Sequence, residues 1–431
     1  MDGARGRDTA VIADRQGFTP KLVSSLREGY GGLEFRKDLT AGLTVAVVAL
    51  PLSMALALAS GLAPEKGLIA AIVGGVVISA LGGSRFQIGG PAGAFIVLIA
   101  TIVEKRGYDG LLLAMVMAGV LMIAIGALRI GSIVRHVPTV VLSGFTTGIA
   151  VIIAASQLKE LLGLDIAKEP SALIAKVQAI LAALGTIKPL TVALSAFTIA
   201  VILVCRRFAP KSPAFLVGVV AATLVSWALG LNVATIGSKF GDMPSSLPWP
   251  SLPPVTTAKL SAALMDAVAI ALLGAIESLL SAVVADNMTG RRHRSNIELV
   301  AQGVANIATA AFSGMVVTGT LARTATNIRA GAHGPMAGVL HALFVLAFVL
   351  FAAPVAKYVP LAALAALLAV VCWGMAEADE FAHVLRRKGP DALVLLTTFL
   401  LTIFIHLILA IAVGCALAFA LRWWDNRKKP R

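Results

Sequence analysis

Residues Gln87 to Glu104 read QIGGPAGAFIVLIATIVE. A glycine pair, a proline and small residues lead into an apolar run of about 13 residues, Ala92 to Glu104. At ~1.5 Å per residue that is roughly 20 Å of helix, against a hydrocarbon core of about 30 Å. The run reads as a half-helix that begins inside a membrane, with Pro91 near its first position, where a missing N–H is harmless. The free N–H groups and positive dipole end of such a helix point into the protein at mid-membrane depth. Non-helical backbone at that depth is tolerated only where it is buried in protein or lines a cavity. The stretch is therefore read as half of an anion site.

The rest of the chain supplies the membrane. Hydrophobic residues make up 58% and charged residues 13%, where soluble domains carry about 25% charged residues. Apolar segments fall at 40–60, 67–82, 92–104, 110–128, 138–162, 187–205, 213–233, 263–287, 297–312, 320–329, 336–353, 359–375, 390–406 and 408–424. This predicts an all-α polytopic membrane protein of about 14 transmembrane segments. The net charge of +14 sits in short loops, which argues against nucleic acid as a partner. Arg85, Arg129, Arg135, Arg206, Arg207, Lys211, Arg291, Arg292, Arg294, Arg329, Arg386, Arg387 and Lys388 follow even-numbered segments, and Arg427 to Lys429 close the chain. The opposite loops mix Lys66, Lys105, Arg106, Lys168 and Lys239 with Glu65, Glu104, Asp165 and Asp242. The bias predicts a multi-pass protein of the inner (plasma) membrane with both termini cytoplasmic. Cys205, Cys372 and Cys415 are far apart and read as isolated core cysteines.

A counterpart of the opening stretch occurs late, as FSGMVVTGTLAR from Phe312 to Arg323. It precedes the third segment after the polar loop 234–257, as Gln87–Glu104 holds the third segment of the first half. Short, glycine-interrupted segments in matching places mark an inverted-repeat transporter. The expected organisation is a tail 1–38, a first repeat 39–233, an extracytoplasmic loop 234–257, a second repeat 258–424 and a tail 425–431. Seven segments per repeat is odd, so the two halves have opposite orientation and their half-helix N-termini meet from opposite sides.

Glu277 lies inside an apolar segment, where a carboxylate is disfavoured by several kcal/mol unless it faces a cavity or takes a proton. It is read as a proton-coupling group, with a hydrogen bond between helices as the structural alternative. Ser281, one turn on, shares its face or simply packs. Arg323 adds positive potential to the site or pairs with Glu277; alternatively it snorkels or caps a neighbouring helix. Thr318 and Thr320 offer hydroxyls, Gly319 allows close backbone approach, Phe95 walls the pocket or packs, and Pro51 kinks the first span. His406 reads as a buried neutral imidazole. The sequence presents no nucleophile–base pair, nucleotide loop or metal-ligand spacing, so neither an enzyme nor a cofactor is expected.

Phe35-Arg36-Lys37-Asp38-Leu39-Thr40-Ala41-Gly42, Leu50-Pro51-Leu52-Ser53-Met54-Ala55, Gly82-Gly83-Ser84-Arg85 and Gly89 to Phe95 resemble the SulP (sulfate permease) family of anion transporters. So do Glu277 to Asp286, Arg292 to Asn296, Glu298 to Gly303 and Thr318 to Asn327. The resemblance runs in order over roughly residues 35 to 425. It implies a uracil-permease-like fold of 14 helices in two inverted repeats. A core domain of helices 1–4 and 8–11 would move against a gate domain of helices 5–7 and 12–14 in an elevator cycle, in a homodimer. It places the anion among Leu52, Leu56, Ala92, Gly93, Ala94, Phe95, Gly319, Thr320, Leu321, Ala322 and Arg323, with Glu277 and Ser281 at the coupling ion. A glutamate at 277 looks like the proton-coupled bacterial members; sodium-coupled bicarbonate relatives have an aspartate there. Members usually continue into a cytoplasmic STAS domain, which is not expected in a sequence ending at Arg431. His406 and Ala412 depart from acidic residues common at those places. The expected activity is proton-coupled transport of a small anion such as sulfate, bicarbonate or a dicarboxylate. The alternatives are sodium symport, exchange and an uncoupled anion channel.

Overall fold

A computed structural model describes residues 18–131, 138–166, 170, 173–210, 212–251, 253, 256–376, 378–387, 389–405 and 407–428. Residues 1–17, Arg135, Lys168, Lys211, Lys388, His406 and Lys429 lie outside them. The order begins with α1 (Lys21–Arg27), α2 (Gly32–Ala59), α3 (Pro64–Ile69), a π turn (Ala70–Gly74) and α4 (Gly75–Leu81). Strand β1 (Gly89–Gly90), a 3-10 turn (Gly93–Phe95) and α5 (Ile96–Ala127) follow. Then come α6 (Thr139–Leu162), α7 (Leu173–Ala182), α8 (Pro189–Phe208) and α9 (Ala214–Ala228). After α10 (Ile236–Phe240) the pattern repeats with α11 (Thr257–Thr289), α12 (Ser295–Ala311), β2 (Thr318–Gly319), α13 (Leu321–Arg329), α14 (Met336–Ala356), α15 (Leu361–Met375), α16 (Ala378–Arg386), α17 (Pro390–Phe404) and α18 (Leu407–Lys428). Among the described residues, eight helical stretches are long and apolar enough to span a bilayer.

Two local differences from the sequence reading have simple causes, and one boundary agrees with it. Segments 92–104 and 110–128 fall largely within α5 and are separated, as read, by the break at Gly107 (φ 72°, ψ 179°). The first span starts at Gly32 rather than near Thr40, because the Glu34 carboxylate accepts the Gly31 N–H (3.0 Å) and closes the helix start. Each half also carries a short helix, α7 and α16, between its fifth and sixth long segments. These are too short, and α16 too polar, for a span-length hydrophobic window.

The helices sort into two packing groups. In one, α12 and α11 lie on α5, α14 on α2, and α13 on α11 and α2. In the other, α15 and α17 lie on α6, α9 and α15 on α8, and α18 on α17. The groups meet where α15 and α9 touch α2 and where α6 touches the Gly93–Phe95 turn.

Two buried carboxylates tie the first group together across the halves. Glu298 on α12 accepts the N–H groups of Gly83 (2.7 Å) and Ser84 (3.1 Å), and Gln302 donates to its other oxygen (2.8 Å). Asp38 on α2 accepts those of His333 (2.6 Å) and Gly334 (2.9 Å), with the Tyr30 hydroxyl on its second oxygen (2.9 Å). Each acid of one half thus pins a loop of the other. Glu298→Ala leaves three buried donors unpaired, at about 1–3 kcal/mol each. A fall of several degrees in the thermal midpoint in detergent is the expected result.

The segment ahead of α2 docks on the same loops. The Lys21 N–H donates to the Gly82 carbonyl (2.9 Å), Arg294 donates to the Thr19 carbonyl, and Arg85 pairs with Glu28. Lys21 is buried. Burial, then the charge of Arg85, lowers its ammonium to about 8, against the opposing pull of Glu28 and Asp286. An undocked Lys21 keeps its proton up to the usual lysine range, so docking strengthens as pH rises above about 8. Cleavage within residues 18–31 by an alkaline-active protease is expected to slow between pH 7.5 and 9.5, and this trend is lost in Lys21→Met.

Candidate functional site

The two glycine stretches meet. β1 and β2 pair antiparallel, with Gly89 opposite Gly319 and Gly90 opposite Thr318. Gly90 precedes a proline, which biases it to extended backbone. Pairing satisfies the non-helical backbone of both stretches. A helix leaves each end of the pair. Ala92 caps the Gly93–Phe95 turn that runs into α5, and Thr320 caps α13. Pro91 therefore precedes the cap rather than opening the helix as the sequence suggested. The Thr320 N–H donates to the Ile88 carbonyl (2.9 Å), and the Thr324 hydroxyl accepts the Ile88 N–H (3.1 Å).

Helix α11 presents one face to this pair. The Thr318 hydroxyl donates to the Gly274 carbonyl (3.2 Å), the Gln87 amide to the Ser278 carbonyl (2.9 Å), and the Ser281 hydroxyl to Thr324 Oγ1 (3.2 Å). Glu277 is three residues from Gly274 and four from Ser281, so it stands on that face beside β2 and the first turn of α13. Its side chain is half-buried, and among the described residues no hydrogen-bond or ion-pair partner meets its carboxylate. The interhelical hydrogen bond offered as its structural alternative is not made.

Phe95 is fully buried; a Cβ on Gly274 would stand 3.7 Å from its ring. Leu52, Leu56, Ala92 and Ala94 are buried, Gly319 and Thr320 likewise, whereas Leu321 and Ala322 are exposed at the start of α13. Gly93 faces the second packing group, where a Cβ would meet Met375 at 3.4 Å. Arg323 is fully buried behind the strands. Its Nη2 donates to Ser53 Oγ (3.0 Å), and a Cβ on Gly90 would fall 1.9 Å from Nη1. It does not pair with Glu277; it places a cation beneath both helix starts, and among the described residues its Nε and Nη1 find no acceptor.

Several residues of this framework carry no role in the sequence reading. Gln87 lies across Gly319, Ser53 holds Arg323, and Asn306 on α12 brackets the backbone of Val317 by donating to its carbonyl (2.8 Å) and accepting its N–H (3.1 Å). The signal for Asn306 is an amide inside an apolar segment, and that for Gln87 an amide beside the Gly89–Gly90 interruption. Ser53 has none, because a serine bonding back to its own helix (Ala49 carbonyl, 2.6 Å) looks the same in sequence. Among the described residues, no cluster of His, Cys, Asp and Glu could hold a metal ion.

The sulfate permease family profile matches residues 35–398. The chain belongs to the sulfate permease family. Within it, YvdB, a candidate sulfate transporter of Bacillus subtilis strain 168, is 43% identical over 393 residues, covering 91% of this chain and 74% of YvdB. Among solved structures, the transmembrane domain of the cyanobacterial bicarbonate transporter BicA superposes with a TM-score of 0.78 at 30% identity, covering 89% of this chain and 98% of that one. The murine Solute Carrier 26 family member A9 anion transporter gives 0.83 at 20% identity, over 95% of this chain and 71% of its own, and shares the fold. This sulfate permease relative is thus a polytopic, inverted-repeat membrane protein of an anion-transporting family, not an enzyme family.

Proposed function

We propose that this protein is a proton-coupled secondary transporter of a small oxyanion, and that it works by an elevator motion of the first packing group against the second. The anion would sit between the starts of the Gly93–Phe95 turn and α13, near Leu52, Leu56, Ala92 to Phe95 and Gly319 to Ala322, with Arg323 acting through the strands. The repeats would run 39–233 and 258–424, in a homodimer with both termini cytoplasmic. The observation that carries the reading is the strand pair, with a positive helix end on each side of it and beside it Glu277, which has no partner among the described residues. Sulfate and bicarbonate are the first substrates to test, because the relatives above are named for them.

The test is uptake of labelled sulfate, bicarbonate and fumarate into proteoliposomes, each with an inward proton gradient, a sodium gradient or neither. Proton-stimulated uptake of one anion is expected. Sodium-stimulated uptake would favour a second reading, in which the oxygens of Glu277, Ser281 and Thr324, brought together on one side of the pair, hold the cation. Currents far above transporter turnover would make the protein a channel.

A further inference from the structure

A cavity of about 370 Å³ opens at the end of the molecule away from α1. It lies between the packing groups: Ala55 and Ala59 of α2 form one wall, and Gln157 of α6 and Leu364 of α15 the other. Ala55 is one helical turn or less from Leu52 and Leu56, two buried leucines placed at the central site. This vestibule borders the central site and shares none of the residues assigned to it.

Among the described residues its charges come from four elements: Glu104 of α5, Lys159 and Glu160 of α6, Lys176 of α7 and Lys239 of α10. Lys239 is fixed. The Thr235–Ser238 capping box starts α10, the Ile236 and Gly237 N–H groups donate to the carbonyls of Val359 and Lys357 (both 2.9 Å), and Lys239 Nζ meets Glu160 at 2.8 Å. That pair cancels, and Lys176 offsets Glu104. What remains is Lys159, in the last turn of α6, where the helix end favours a cation. It is half-buried, and among the described residues no acceptor or carboxylate meets its ammonium.

We infer that this vestibule is a second, weaker anion subsite, with Lys159 as its electrostatic pole, which recruits small anions to the core–gate boundary before they reach the strand pair. A recessed cavity with low-dielectric walls and one net positive charge raises the local concentration of anions. The subsite prefers charge over shape, because the Ser60 and Ser156 hydroxyls on its floor donate to the Leu56 and Ile153 carbonyls of their own helices. The inference rests on the transport reading for its role but not for its potential.

Two measurements on the full-length protein separate these. In Ala59→Cys, the rates of modification by an anionic and a cationic methanethiosulfonate reagent, less the background from the natural cysteines, report the potential in the cavity. Lys159→Gln is expected to lower the anionic-to-cationic ratio about fourfold or more, the factor a unit charge gives one reagent at ~5 Å in water-like dielectric, and Lys159→Arg to keep it. A ratio unmoved by Lys159→Gln overturns the subsite. In proteoliposomes oriented with the vestibule outward, Lys159→Gln is expected to raise the external KM by a similar factor with Vmax within about twofold. A normal external KM overturns the recruiting role. If the wild type carries no anion at all, the transport reading fails, and with it the recruiting role, while the reagent ratio still decides whether an anion subsite is present.

Discussion

In Glu277→Gln, proton-stimulated uptake is expected to fall to the level seen without a gradient, while anion exchange across the same membrane continues. The substitution keeps the size and shape of the side chain and removes only its ability to exchange a proton. No partner in the protein is left unpaired, because the Glu277 carboxylate has none among the described residues. The thermal midpoint should therefore stay within the range of a surface substitution, about ±0.5 kcal/mol. The size of the effect follows from charge movement. Carrying one elementary charge through the membrane field is worth about 2.3 kcal/mol per 100 mV, or roughly 50-fold in rate. An anion crossing beside an ionised Glu277 bears that extra charge, and one crossing beside a protonated Glu277 does not. Wild-type uptake is expected to rise as the outside is acidified, and uptake by Glu277→Gln to stay flat. The same comparison under an imposed potential checks the account, since the variant should respond as the protonated wild type does. A variant that unfolds early, or one that loses exchange together with coupling, would give Glu277 a structural role instead.

The fold was legible because its signals are long. Apolar segments and the glycine interruptions at Gly89–Gly90 and Gly319 locate the spans and the strand pair, and each needs only composition and spacing. The break at Gly107 was legible too, because the charged run Glu104-Lys105-Arg106 and Asp109 interrupts the apolar sequence around it. The site was legible only in part. Glu277 stands out because an intramembrane acid is rare. The direction of Arg323 could not be read: nothing in TGTLAR says that Leu321 and Ala322 face open space while the arginine turns beneath the strands onto Ser53. That depends on Gly90 lying across it, some 230 residues away in the chain. Likewise Asp38 and Glu298 stood inside recognisable motifs, but their work on loops of the opposite half comes from long-range packing that spacing does not encode.

Gly319→Ala is expected to abolish transport and to lower the thermal midpoint by many degrees. A Cβ there would fall 1.4 Å from Gln87 Nε2, 2.3 Å from its Cδ and 2.8 Å from its Cγ. The overlap covers most of the side chain, so rotating its tip does not relieve it. Gln87 is buried and tied to the Ser278 carbonyl, so it has no solvent to retreat into. Overpacking of this kind destabilises by about 1–3 kcal/mol or more. The alternative to moving Gln87 is to part β1 from β2, which shifts the starts of the Gly93–Phe95 turn and α13 against each other and spoils the one place where both positive ends act together. Gln87→Ala alone gives up a single hydrogen bond, about 0.5–1.5 kcal/mol. The double variant Gln87→Ala/Gly319→Ala removes the collision and should be clearly more stable than Gly319→Ala alone. This non-additive recovery is the mark of two residues in contact. If the double variant regains stability and also transport, the strand pair positions the helix ends and Gln87 is a spacer. Regained stability without transport would make the Gln87 amide part of the site itself. A Gly319→Ala protein with wild-type stability and uptake would mean that the strands do not pair as described, and the anion site built on them would fall with it.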